Sequence, residues 1–140
     1  MISETIISSE SDWIKWSSFH EKTLSGVVAI HGVMGAGKTS AIKNWLISFN
    51  SQDVGSSPTF SLMNEYKSPN GPIFHFDFYR ITEAAEAEDI GLTDYLYSGN
   101  PCWIEWPENI SELLPEDAHH LYITENSLGS RKITLETYDI

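Results

Sequence analysis

A chain of 140 residues, 41% of them apolar and 12% aromatic, is long enough to bury a core and too apolar to stay disordered. Eight Lys and Arg against twenty Asp and Glu leave a formal charge of −12, which speaks against direct binding of a polynucleotide, an affinity that rests on cations displacing phosphate counterions. The longest apolar runs have strand length, so no membrane span is expected, and a single cysteine, Cys102, cannot form an internal disulfide.

The N-terminus, Met1-Ile2-Ser3-Glu4-Thr5, lacks the basic start and long apolar run of a signal peptide, so a cytoplasmic chain forming one domain over residues 1–140 is expected. Thr5-Ile6-Ile7 reads as a first strand. Ser9 with Asp12 three residues later forms a capping sequence, and Trp13, Trp16 and Leu24, with Phe19 nearby, recur at near-helical spacing, predicting an amphipathic helix over 10–24. Val27-Val28-Ala29-Ile30 reads as a buried strand. It runs into Gly32-Val33-Met34-Gly35-Ala36-Gly37-Lys38-Thr39, followed by a helical segment expected to stop near Asn50.

Strand, glycine loop and helix with G-x-x-x-x-G-K-[ST] is the nucleotide-phosphate signature. The glycines let the backbone turn several N–H groups toward one anion, and the helix adds its positive end there. In that setting Lys38 reaches the β- and γ-phosphates, and the Thr39 hydroxyl ligates magnesium.

After a polar connection, Pro58 disfavours helix before it, and Phe60, Leu62 and Tyr66 suit a partly buried strand. Thr59 and Glu65 are candidates for a group carried toward the γ-phosphate. Ser68-Pro69-Asn70-Gly71-Pro72 reads as a turn, making a hairpin with Ile73–Arg80. Period-two alternation puts Phe74, Phe76 and Phe78 on one face and His75, Asp77 and Tyr79 on the other. Asp77 is placed to order magnesium or the attacking water, whereas His75 and Tyr79 read as hydrogen-bonded structural residues. Two short helices are expected over Thr82–Ile90 and Leu92–Tyr97. Cys102-Trp103-Ile104-Glu105 is an apolar strand ending in a carboxylate, the pattern of the acidic strand that holds magnesium, with glutamate in place of the usual aspartate. Cys102 reads as a small buried residue, and His119-His120 is too isolated to make a metal site. Residues 110–114 read as a turn or short helix, and His119–Thr124 and Lys132–Tyr138 as two last strands.

Taken together, these residues resemble the TsaE (YjeE) family of bacterial ATPases that support threonylcarbamoyladenosine synthesis in tRNA. The motifs come in family order: the Gly32–Thr39 loop, Ser57-Pro58-Thr59-Phe60, Asn64-Glu65-Tyr66, His75-Phe76-Asp77-Phe78-Tyr79-Arg80 and Ile104-Glu105-Trp106-Pro107-Glu108, across roughly residues 5–135. The resemblance implies an α/β, P-loop NTPase-like three-layer fold with a mixed, mostly parallel central sheet. It implies slow, magnesium-dependent hydrolysis of ATP that resets a complex with TsaB and TsaD, with tRNA engaged only through that complex. On the same basis Gly35, Ala36, Gly37, Lys38, Thr39 and Ser40 match the triphosphate cradle, and Met34 counts among the nucleotide-binding residues. Thr39 and Glu105 match the magnesium positions, and Asp77 an acid needed for activity. Thr59 falls in a switch-like segment, Ser11 aligns near the nucleotide base, and Arg131 matches a late nucleotide contact. Val33-Met34 and Ser40 depart from the Asp-Leu and second Thr frequent in the family. A small-molecule kinase and a nucleotide-sensing scaffold without turnover are the competing readings; a guanine-reading Asn-Lys-x-Asp signature is absent.

Overall fold

The structure is a computed structural model that describes every residue except Met34, Ser57, Thr59, Phe60, Ser127, Leu128, Asp139 and Ile140. Seven strands form one sheet: β1 (Ile2–Ile7), β2 (Val27–His31), β3 (Met63–Ser68), β4 (Gly71–Asp77), β5 (Cys102–Glu105), β6 (His119–Glu125) and β7 (Arg131–Glu136). Their order is β1-β7-β6-β2-β5-β4-β3. The pairs β6–β2, β2–β5 and β5–β4 are parallel, while β1–β7, β7–β6 and β4–β3 are antiparallel. The sheet is therefore mixed, parallel in its middle and antiparallel on both flanks, and the expected β3–β4 hairpin is present.

Side chains alternate across the strands, so each sheet face takes its own helical layer. On one face, α1 (Glu10–Phe19), α2 (Glu21–Leu24) and α3 (Lys38–Ser48) cover the strands. Trp13, Trp16 and Trp45 there join Val28, Ile30, Trp103 and Leu121 in one buried cluster. On the other face lie α4 (Ala84–Asp89), α5 (Leu92–Leu96) and a 3₁₀ helix, Pro107–Leu113. Phe74, Phe76, Phe78, Ala87, Leu92 and Ile104 form the second cluster. Three layers result, as the resemblance implied.

The capping sequence at Ser9 behaves as predicted: its hydroxyl accepts from the Asp12 N–H at 3.2 Å, and the Asp12 carboxylate accepts from the Ser8 N–H at 2.9 Å. The helix predicted over 10–24 breaks at His20, whose ring meets Trp16 at a tilt of 41° with centroids 4.6 Å apart. Phe19 points to solvent at 84% exposure, because it lies about 90° around the helix from the middle of the face set by Trp13 and Trp16. Asn50, at φ 59°, follows the end of α3 where the stop was expected. Cys102 is buried, and burial pushes its thiol up to about 12, which keeps it inert. Among the described residues, no helix is long and apolar enough to cross a membrane.

Burial pushes His20, His31 and His119 below the ordinary imidazole value of 6.5, and for His31 the neighbouring His120 adds to the effect. The unfolded chain therefore binds more protons than the folded one once pH falls below 6.5, and stability falls with it. Melting temperature should drop between pH 7 and 5.5; a flat or rising profile would contradict the burial of these imidazoles.

Candidate nucleotide site

The loop after β2 turns because Gly35 and Gly37 take φ of 83° and 107°, left-handed conformations that side chains resist. Gly37 is also the residue from which α3 starts, with no side-chain cap of its own. The first N–H groups of that eleven-residue helix have no acceptor within it, which makes the helix end a seat for an anion.

A cavity of about 430 Å³ opens at this point. Gly35, Gly37, Lys38, Thr39 and Ser40 form one wall, and Asp77, Glu105 and Arg131 contribute to the others. The sheet register explains the meeting of the two carboxylates. Asp77 ends β4 directly beside Glu105, which ends β5, and Glu105 in turn lies beside Ile30 of β2. Loop and acids thus emerge from the carboxyl ends of three adjacent parallel strands, where α/β sheets bind ligands.

Lys38 is only 6% exposed. Its Nζ donates to the Gly32 carbonyl at 2.7 Å and lies 3.9 Å from the centre of the Trp106 ring. Burial lowers its pKa, and the Glu105 and Asp77 carboxylates oppose that shift. Burial raises the pKa of Asp77; the Tyr79 N–H, donating to Oδ1 at 3.1 Å, resists the change, and Glu105 reinforces it. Glu105 is 3% exposed, and its Oε2 meets His75 Nε2 at 2.6 Å. Arg131, at the start of β7, reaches back across the loop and donates from Nε to the Ala36 carbonyl at 2.8 Å.

The structure thus brings together Lys38, Thr39, Ser40, Asp77, Glu105 and Arg131. Ala36 is turned into the core and takes part through its backbone. Ser11 sits exposed in the first turn of α1. Its neighbours Ser8, Ser9 and Glu10 line a hollow of about 200 Å³ that shares Gly37, Ser40 and Arg131 with the main cavity. Met34 and Thr59 lie outside the described residues. Glu65 pairs with Phe74 and shares its face of the sheet, so period-two alternation turns it away from Asp77 and Glu105. Trp106 is the site residue that pattern reading passed over. It holds φ 57°, costly for a bulky side chain, and packs against both Lys38 and Tyr79. Its place between a site carboxylate and Pro107 is the sequence signal that could have found it.

Hard oxygen donors of the kind Thr39, Asp77 and Glu105 carry suit magnesium. Among the described residues, no group of three or more His, Cys, Asp or Glu side chains is arranged to hold a metal alone. One or two carboxylates completed by substrate phosphates is the arrangement magnesium commonly uses.

Arg131 contributes both a positive charge to the cavity and a brace to the loop. Arg131→Ala should weaken ATP binding about tenfold, in keeping with the loss of one charge-assisted hydrogen bond. Titration calorimetry checks this, and an affinity unchanged within twofold would remove Arg131 from the site.

Comparison with known proteins finds relatives over most of the chain. A family model described as threonylcarbamoyl adenosine biosynthesis protein TsaE matches residues 8–133. The chain is 33% identical over 108 residues to the tRNA threonylcarbamoyladenosine biosynthesis protein TsaE of Bacillus subtilis, covering 77% of this chain and 67% of that one. It is 30% identical over 129 residues to the protein of the same name from Treponema pallidum, covering 91% and 95%. A crystal structure of YdiB from Bacillus subtilis superposes with a TM-score of 0.78 at 22% identity, over 99% of this chain and 87% of that one, a likeness of fold. With the family model spanning nearly all of the chain and the glycine loop, Asp77 and Glu105 meeting at one cavity, this chain belongs to the TsaE family.

Proposed function

We propose that this protein is a slow, magnesium-dependent ATPase that binds a TsaB–TsaD pair in the cytoplasm and supports repeated rounds of threonylcarbamoyladenosine formation on tRNA. One observation carries the reading: Lys38 and Thr39, at the positive end of α3, face Asp77 and Glu105 across a single cavity. Its volume of about 430 Å³ falls within the range of ordinary small-ligand pockets.

In this reading the backbone around Gly35 and Gly37 and the start of α3 hold the phosphate tail of ATP. Lys38 leaves the Gly32 carbonyl and the Trp106 ring to meet the terminal phosphates. Thr39 and Glu105 hold the metal ion, which supplies charge neutralisation on the phosphate oxygens when bound. Asp77, its proton affinity raised by burial, orients the attacking water by accepting a hydrogen bond. Arg131 braces the loop from the far side and adds a second cation. The net charge of −12 leaves tRNA to be engaged through the partners and not by this chain alone.

The test is reconstituted tRNA modification with excess tRNA over the partner pair. Adding this protein and ATP should convert a single round into many, and ATP hydrolysis should be faster with the partners than without them. Equal modification with and without the protein would overturn the proposal. Transfer of phosphate to a small acceptor would favour a kinase instead.

A further inference from the structure

The mechanism above uses Glu105 but not the groups that hold it. Behind Glu105 runs a buried polar chain crossing three strands. Glu105 Oε2 meets His75 Nε2 at 2.6 Å, and His75 Nδ1 meets the Tyr66 hydroxyl at 2.9 Å. The Tyr66 oxygen lies 3.0 Å from the Ser56 carbonyl and accepts from the Ser56 N–H at 3.3 Å. Asn64 Nδ2 closes the far end by donating to the Ser56 carbonyl at 2.8 Å. His75 is fully buried, and Tyr66 and Glu105 are 5% and 3% exposed.

The geometry fits an ionised Glu105 in either protonation state of His75. A neutral imidazole donates from Nε2 to the carboxylate and accepts at Nδ1 from the Tyr66 hydroxyl. An imidazolium donates at both ends, and the Tyr66 hydroxyl then donates to the Ser56 carbonyl. In both cases Nε2–H points at one oxygen of Glu105 and leaves the second carboxylate oxygen for other partners. Burial holds the Tyr66 phenol above its ordinary range, which keeps its proton available as a donor. Outer groups that orient a metal-binding side chain typically change metal affinity or activity by 10- to 100-fold when removed.

We propose that His75 and Tyr66 are positioning residues that aim Glu105 into the nucleotide cavity, with the backbone of Ser56 anchoring their far end. The proposal rests on the assignment of Glu105 to magnesium made above. A purely structural buried cluster would change folding stability when cut and leave magnesium dependence alone. The positioning chain changes magnesium dependence in a folded protein.

The test compares the ATP affinity of the full chain, by titration calorimetry, in magnesium and in excess chelator. Tyr66→Phe removes one hydroxyl and keeps the ring; His75→Gln keeps an amide donor but loses the rigid ring that links Tyr66 to Glu105 through its two nitrogens. Each should bind ATP in chelator within about twofold of the wild type, yet lose about tenfold of the affinity gained on adding magnesium. The double variant should lose no more than His75→Gln alone, since Tyr66 acts through His75. Folded variants with an undiminished magnesium gain, or with equal losses in both conditions, would overturn the proposal. Losses that multiply in the double variant would overturn the chain as one unit. A wild-type protein that binds ATP without any gain from magnesium would overturn the assignment of Glu105 itself, and this inference with it; that failure is visible before any substitution is made.

Discussion

Lys38→Ala is expected to lower ATP affinity by about a hundredfold or more while leaving the protein folded. The expectation of retained folding follows from the position of Lys38. Lys38 is almost wholly buried and loses hydration there, and among the described residues its ammonium contacts the Gly32 carbonyl and the Trp106 ring. Removing a desolvated charge relieves a cost that these contacts only partly offset. Binding is another matter, because Lys38 is the cation at the end of α3 best placed to meet phosphate, with Arg131 held to the loop backbone on the opposite side. Calorimetric titration with ATP, beside a thermal melt of the same variant, checks both halves. An affinity within twofold of the wild type would detach Lys38 from the nucleotide.

Glu105→Ala should have the second large effect, on turnover. Hydrolysis measured with the partner pair should fall about a hundredfold or more, whereas ATP affinity in chelator should change little. Glu105 lies next to Asp77 in the register and raises the proton affinity of that neighbour. Its removal therefore eases ionisation of Asp77, so the loss cannot be charged to a protonated Asp77. Glu105→Gln keeps the side chain's length and its reach toward His75 but loses the charge, and it should resemble the alanine variant in turnover. Undiminished hydrolysis in either variant would take Glu105 out of the metal position.

Local features of this fold were legible because local physics sets them. The glycine loop needs Gly35 and Gly37 at positive φ, Ser9 needs a donor three residues on, and Phe74, Phe76 and Ile104 alternate as a strand between two layers requires. What pattern reading missed depends on contacts between distant parts of the chain. The break at His20 falls where its ring packs at a tilt against Trp16. The placement of β7 between β1 and β6 brings Arg131 to the loop across 95 positions of sequence. Spacing alone suggested a hydrogen-bonded role for His75, but its partners Tyr66 and Glu105 come from two other strands. Trp106 stands in a motif read from the sequence but receives no role there, because its importance lies in a left-handed backbone that brings the ring to Lys38. The family match extends over residues 8–133, and the separate elements read from the sequence fall in the same order in the structure.

The most direct measurement is titration of the wild-type chain with ATP in magnesium and in chelator, followed by calorimetry. A cavity built from the end of α3, Lys38, Asp77 and Glu105 should give saturable one-site heat in both conditions, with tighter binding when magnesium is present. A folded protein that releases no heat of association in either condition, alone or mixed with TsaB and TsaD, would contradict the assignment of this cavity to ATP.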